Sequence, residues 1–238
     1  MDGVWTERME MDRARAEVYG FFSRVFVGRP DGAFWEQLTA EDTMDALGAL
    51  FGDHPALDVL RSAAGEGAGK SGNPEAIQVE YDNLFLVPGP YHVPPYESVL
   101  MADEKAGGRR ATLFGKGAQE IARIYEAHGL EPWEGIENFP DHIGVELAFM
   151  EHLCRRAAES YASGVPDRAR DLEEAAARFL GEHLHAFSHR LASAILETGL
   201  SPTYEALAQL LTSFLDDDLN QWASTAGPPE DGARACCG

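Results

Sequence analysis

From Met11 to Phe26, the apolar residues Met11, Ala14, Val18, Phe21, Phe22 and Val25 recur at spacings of three and four. That is the helical period, and it predicts an amphipathic helix that Gly28 and Pro30 bring to an end. Shorter patterns of the same kind cover Phe34–Leu38, Thr43–Phe51 and Pro55–Ala64, the last with proline in an acceptable first-turn position. Residues Gly65–Gly72 are too rich in glycine to hold a helix and read as a linker.

Asn73 and Pro74 then read as an N-cap and first helical residue, opening a stripe of Ile77, Tyr81, Leu84 and Phe85 that must end before Pro88. Four prolines and a glycine between Pro88 and Tyr96 predict a stiff connection with few backbone donors. A helix over Lys116–His128 has Ala118, Ile121, Ala122 and Tyr125 inward and stops at Gly129. The clearest stripe follows Asp141, with Ile143, Leu147, Met150, Cys154, Ala157 and Tyr161 in alternating steps of four and three up to Gly164 and Pro166. A long pattern spans Asp167–Thr198 with a candidate break near Gly181, and Ser201-Pro202 opens a final helix through Leu207, Leu211, Phe214 and Trp222. No strand pattern emerges. The expectation is an all-α chain, a single globular bundle of roughly eight to ten helices over residues 1–224, with a flexible tail over 225–238.

Composition narrows the choice of partner. A chain of 238 residues with 45% hydrophobic content can bury a substantial core. Its 40 acidic against 19 basic residues leave a net charge of -21, which repels phosphate backbones and anionic lipid. Nucleic acid is therefore not expected as a partner, whereas a basic one is readily accommodated. Residues Met1–Ala16 contain no apolar export core, and no run approaches the roughly 18 apolar residues that span a bilayer. The chain is expected to be cytosolic, without membrane insertion. Cys154, Cys236 and Cys237 form neither a disulfide framework nor a spaced zinc quartet.

Three weaker motifs are better explained without chemistry. Ala64–Ser71 resembles a degenerate phosphate-binding loop, which would make the chain a nucleotide hydrolase using Lys70. The stretch before it, Leu57–Ala64, is helix-like rather than a buried strand, and Ala64 replaces the first glycine, so loss of Lys70 is expected to leave function untouched. His185 and His189 have the i, i+4 spacing that can hold a metal on one helical face, but no third ligand is evident nearby, and His183 completes a group expected to be ordinary histidines. Asp216–Asp218 reads as a solvated helix face. No metal or cofactor is expected.

Two segments carry more information. The first, Tyr81-Asp-Asn-Leu-Phe85-Leu-Val-Pro-Gly-Pro90-Tyr-His-Val-Pro-Pro95-Tyr-Glu-Ser98, joins an amphipathic helix to a rigid loop that presents Tyr91, Tyr96, Glu97 and Ser98 at its far end. A rigid loop loses little entropy on binding a peptide. The second, Pro140-Asp-His-Ile-Gly-Val-Glu146-Leu-Ala-Phe-Met150-Glu-His-Leu153, places Asp141 at a helix start, where it can cap the helix, bind a partner, or do both.

Together these segments resemble the paired motifs of the TorD/DmsD/NarJ family of molybdoenzyme maturation chaperones: Tyr-x-x-Leu-Phe…Pro-Pro-x-Glu-Ser and Pro-Asp-His-x-x-x-Glu-Leu. The resemblance is close over about Glu80–Leu153 and includes Phe114-Gly115, the Tyr125 helix and His128-Gly129-Leu130 between the motifs. Tyr96 stands where many members have tryptophan, and Asn138-Phe139 precedes Pro140 where a Glu-Pro pair is common.

The resemblance implies a TorD-like helical chaperone, not an enzyme. Its partner would be the catalytic subunit of a molybdopterin-containing oxidoreductase, gripped by its N-terminal twin-arginine signal peptide until the molybdenum cofactor is inserted. In the nitrate reductase branch the same surface would instead grip a segment of an enzyme that faces the cytoplasm. Carried over by motif, the recognition surface comprises Phe85, Pro95, Tyr96, Glu97, Ser98, Pro140, Asp141, His142 and Glu146. Carboxylates suit the arginines, aromatics suit the apolar stretch, and an acidic chain speeds encounter with a basic peptide. Whether the chain acts as a monomer or a homodimer stays open.

Overall fold

A computed structural model describes residues 3–64, 74–102, 115–130 and 139–225. Its helices are α1 (Gly3–Phe26), α2 (Gly32–Thr39), α3 (Glu41–Phe51), α4 (Pro55–Ala64), α5 (Pro74–Tyr81), α6 (Glu97–Leu100), α7 (Lys116–Ala127), α8 (Ile143–Ala162), α9 (Pro166–Phe179), α10 (His185–Thr198) and α11 (Pro202–Thr225). The architecture is an all-α bundle, as the periodicity predicts. Among the described residues, none of the helices is long and apolar enough to cross a membrane. The glycine-rich linker with Lys70, the Asn73 cap, Phe114, Asn138 and the cysteine pair of the tail lie outside the described residues.

The central packing is between α1 and α8, which run antiparallel. The end of α1 meets the start of α8 through Ser23, whose hydroxyl donates to the Gly144 carbonyl at 2.8 Å. At the opposite end, Trp5 stacks on Tyr161 with ring centroids 5.5 Å apart. Gly144 permits the close crossing: a Cβ there would lie 2.5 Å from the Val27 Cα, inside contact distance of backbone. Phe22, Leu147, Phe149, Met150 and Leu153 are fully buried, and each large apolar side chain contributes about 1.5–3 kcal/mol relative to exposure. Gly164 (φ 73°) turns α8 into α9, and Gly199 (φ 57°) ends α10 before α11; both φ values suit glycine best. Ser201 caps α11 by accepting from the Tyr204 N–H at 3.1 Å.

Three sequence expectations need correction. Helix α1 begins eight residues before Met11; its first turns are fixed by tertiary contacts, Trp5 on Tyr161 and Arg8 on Glu173, rather than by an apolar stripe. The pattern through Ile77, Tyr81, Leu84 and Phe85 is not regular α-helix throughout. Helix α5 widens into a π-turn at Asp82–Leu86, and α9 joins α10 through another at Leu180–Leu184, where the break was expected. Asp218 is not on a solvated face: it accepts from Arg15 Nε at 2.6 Å, Tyr19 Oη at 2.6 Å and Trp222 Nε1 at 3.0 Å, all buried.

Candidate functional site

The prolines of the first motif hold the chain extended, and the second motif meets it there. Glu97 N–H donates to the Asp141 carbonyl at 2.9 Å, and Ile143 N–H donates to the Pro95 carbonyl at 3.0 Å. These two bonds form an antiparallel bridge between Tyr96 and His142. A single bridge thus joins segments that are far apart in sequence and sets Tyr96, Glu97, Asp141 and His142 side by side.

Each helix that starts at the bridge is capped from it. The His142 Nδ1 accepts from Gly144 N–H at 3.1 Å and caps α8. Its ring is buried, which lowers its pKa to about 4, so the neutral imidazole carries its proton on Nε2. Asp141 caps α6 instead of its own helix: its Oδ2 accepts from Ser98 N–H at 3.0 Å, across the bridge. The expectation of a cap at Asp141 thus holds in kind but names the wrong helix. Tyr125 of α7 donates from its hydroxyl to the Pro140 carbonyl at 2.8 Å and braces the turn before Asp141.

The electrostatics are one-sided. Glu146, one turn into α8, is fully buried, and neither of its carboxyl oxygens has a hydrogen-bond partner. Burial pushes its carboxyl well above the usual range, and the charges of Glu97 and Asp141 push the same way, favouring the protonated form. Glu97 Oε2 lies 3.2 Å from His183 Nδ1, which the π-turn between α9 and α10 brings to the rim. That hydrogen bond raises the His183 pKa, against the opposing effect of burial. Among the described residues, no arginine or lysine pairs with Glu97, Asp141 or Glu146. An aromatic wall stands beside the carboxylates, with Tyr96 5.1 Å from Phe139 and 5.3 Å from the His142 ring.

Of the nine residues carried over by motif, Pro95, Tyr96, Glu97, Ser98, Pro140, Asp141, His142 and Glu146 gather here. Phe85 does not reach the surface. It is 5% exposed and packs edge-on against Tyr81 at 5.0 Å and Tyr204 at 5.5 Å, on the same apolar stripe as Ile77 and Tyr81. Sequence reasoning missed His183 and Phe139. In the sequence His183 stands beside His185 and His189, and no spacing rule ties it to Glu97, 86 residues away.

A family model described as the nitrate reductase delta subunit matches residues 52–193, more than half of the chain and both motifs. Among curated proteins, the chaperone protein TorD of Shewanella pealeana is 26% identical over 227 residues, covering 91% of this chain and 95% of its own length. The chaperone protein TorD of Vibrio parahaemolyticus is 23% identical over 206 residues, covering 84% of this chain and 90% of its own length.

Proposed function

This chain belongs to the nitrate reductase delta subunit family, that of the TorD/DmsD/NarJ molybdoenzyme maturation chaperones, and from that premise we propose that it binds the catalytic subunit of a molybdenum oxidoreductase through an arginine-bearing segment, its twin-arginine signal peptide. It acts by binding rather than by catalysis, holding the subunit while the molybdenum cofactor is inserted and before export. One observation carries this reading: three carboxyl groups converge at the bridge with no arginine or lysine among the described residues to pair with them. A buried carboxyl without a partner is costly, and an incoming guanidinium would supply the missing donors.

The elements divide the work. Glu97 and the remaining oxygen of Asp141 offer acceptors to an arginine fork, while Tyr96 and Phe139 cover the apolar stretch that follows. The bridge and its two caps fix the acceptors before the peptide arrives, so little ordering entropy is lost on binding. Glu146 lies deepest; as an arginine nears, its proton becomes easier to release and a third charge joins the site. The description of the matching family favours a second reading, an assembly factor for an enzyme that faces the cytoplasm, in which the same surface grips a different N-terminal segment.

Capture of interacting proteins from the native cytosol, with a twin-arginine peptide as competitor, tests both. Recovery of a molybdopterin oxidoreductase subunit that the peptide displaces supports the signal-peptide reading. Recovery without displacement favours the assembly factor, and failure to recover such a subunit removes both.

A further inference from the structure

Away from the bridge, the first turn of α10 faces α11. His185 and His189 stand one turn apart, their rings 4.8 Å between centroids, and both turn toward Asp216 of α11. His185 Nε2 lies 2.7 Å and His189 Nε2 2.8 Å from the same oxygen, Asp216 Oδ1. The three side chains offer donor atoms that all lie within 4.8 Å of one another. The third ligand that the sequence did not reveal therefore comes from a different helix. We propose that His185, His189 and Asp216 form a binding site for one divalent transition-metal ion of the Zn²⁺ class.

The chemistry of the donor set selects that class. Two imidazoles and one carboxylate, without thiolate, suit Zn²⁺, Co²⁺, Ni²⁺ or Cu²⁺ better than Ca²⁺ or Mg²⁺, which require oxygen ligands. The geometry is close to what coordination needs. Bonds of about 2.0–2.1 Å in a tetrahedron set donors roughly 3.3 Å apart, so the present hydrogen-bonded contacts must open by about half an ångström. Side chains that are 29%, 42% and 48% exposed can make that adjustment by rotation, and their exposure leaves the fourth position open to water. Burial would raise the Asp216 pKa, but the hydrogen bonds from His189 and His185 outweigh it and keep the carboxylate ionised. A bound ion would replace two hydrogen bonds with a clamp between α10 and α11, next to the π-turn that carries His183.

Cys236 and Cys237 can also bind metal, so the test uses the full chain with Cys236→Ser and Cys237→Ser as background. Co²⁺ titration followed by visible absorption, with Zn²⁺ competition and equilibrium dialysis, is expected to show one equivalent of metal in a thiolate-free site. His185→Ala, His189→Ala and Asp216→Asn should each weaken binding at least tenfold, whereas His183→Ala should not. Zn²⁺ should raise the melting temperature of the background protein and leave that of the three variants unchanged. Absence of stoichiometric binding, or equal binding by the three variants while circular dichroism shows them folded, would overturn the proposal.

Discussion

Two groups of buried and half-buried carboxyls in this molecule have different surroundings. Where α1, α9 and α11 meet, Asp12, Glu173 and Asp218 are answered by arginines from the same chain: Arg8 donates to both Glu173 oxygens at 3.1 and 2.7 Å, and Arg15 bonds Asp218 while lying 3.8 Å over the Trp222 ring. Burial pushes the remaining carboxyl, Asp12, up to about 7, with Glu173 adding to the shift and Arg15 opposing it. Asp12 Oδ2 is left without a hydrogen bond, but each of the three carboxyls has an arginine of this chain within reach. At the bridge, among the described residues, no arginine or lysine pairs with Glu97, Asp141 or Glu146; Glu97 meets His183 at the rim, and the carboxyl oxygens of Glu146 have no hydrogen bond. The first group supports the fold, and the second is the one that the proposed function assigns to a cation from outside it.

The largest expected effect comes from breaking the first group. Arg15→Met leaves Asp218 and Asp12 without their buried cation and should cost about 3–5 kcal/mol in urea unfolding. A loss under 1 kcal/mol would erase the contrast between the two groups.

A somewhat smaller effect concerns pH at the bridge. Unfolded His142 protonates near 6.5, whereas in the fold it stays neutral down to about 4. The unfolded state therefore binds more protons between those values, and stability must fall as pH falls through that window, by on the order of 3 kcal/mol in total. His142→Asn keeps a good N-cap but does not titrate, so its stability should fall less than wild type between pH 6.5 and 4. Identical slopes in the two proteins would show that the His142 ring is not the titrating group.

The smallest effect is expected at Glu146. Since burial favours its neutral form, Glu146→Gln exchanges one neutral buried side chain for another and should change stability at pH 7 by about 1 kcal/mol or less. A loss as large as that of Arg15→Met would make Glu146 a structural member like Asp218.

Much of this arrangement was legible in the sequence. Stripes such as Ile143–Leu147–Met150–Cys154 gave α8 because periodicity follows directly from burial on one face. The two motifs located the bridge residues. What was not legible depends on distance along the chain. Asp141 caps a helix 43 residues earlier, His183 finds Glu97 86 residues earlier, and Asp216 completes the histidine pair across two helices. None of these pairings leaves a local spacing. Phe85 is a different case: it lies four residues beyond Tyr81 and eight beyond Ile77 on the same apolar stripe, so the periodicity puts it in the core although the motif groups it with the surface.

The central claim is that the bridge carboxylates are reserved for arginine. Calorimetric titration of the wild-type chain with a twin-arginine peptide, and with the same peptide carrying glutamine at both arginines, tests it directly, with Glu97→Gln and Asp141→Asn alongside. The account predicts at least tenfold weaker binding both for the glutamine peptide and for either variant with the arginine peptide, with helical content retained; equal affinities for the two peptides would contradict it.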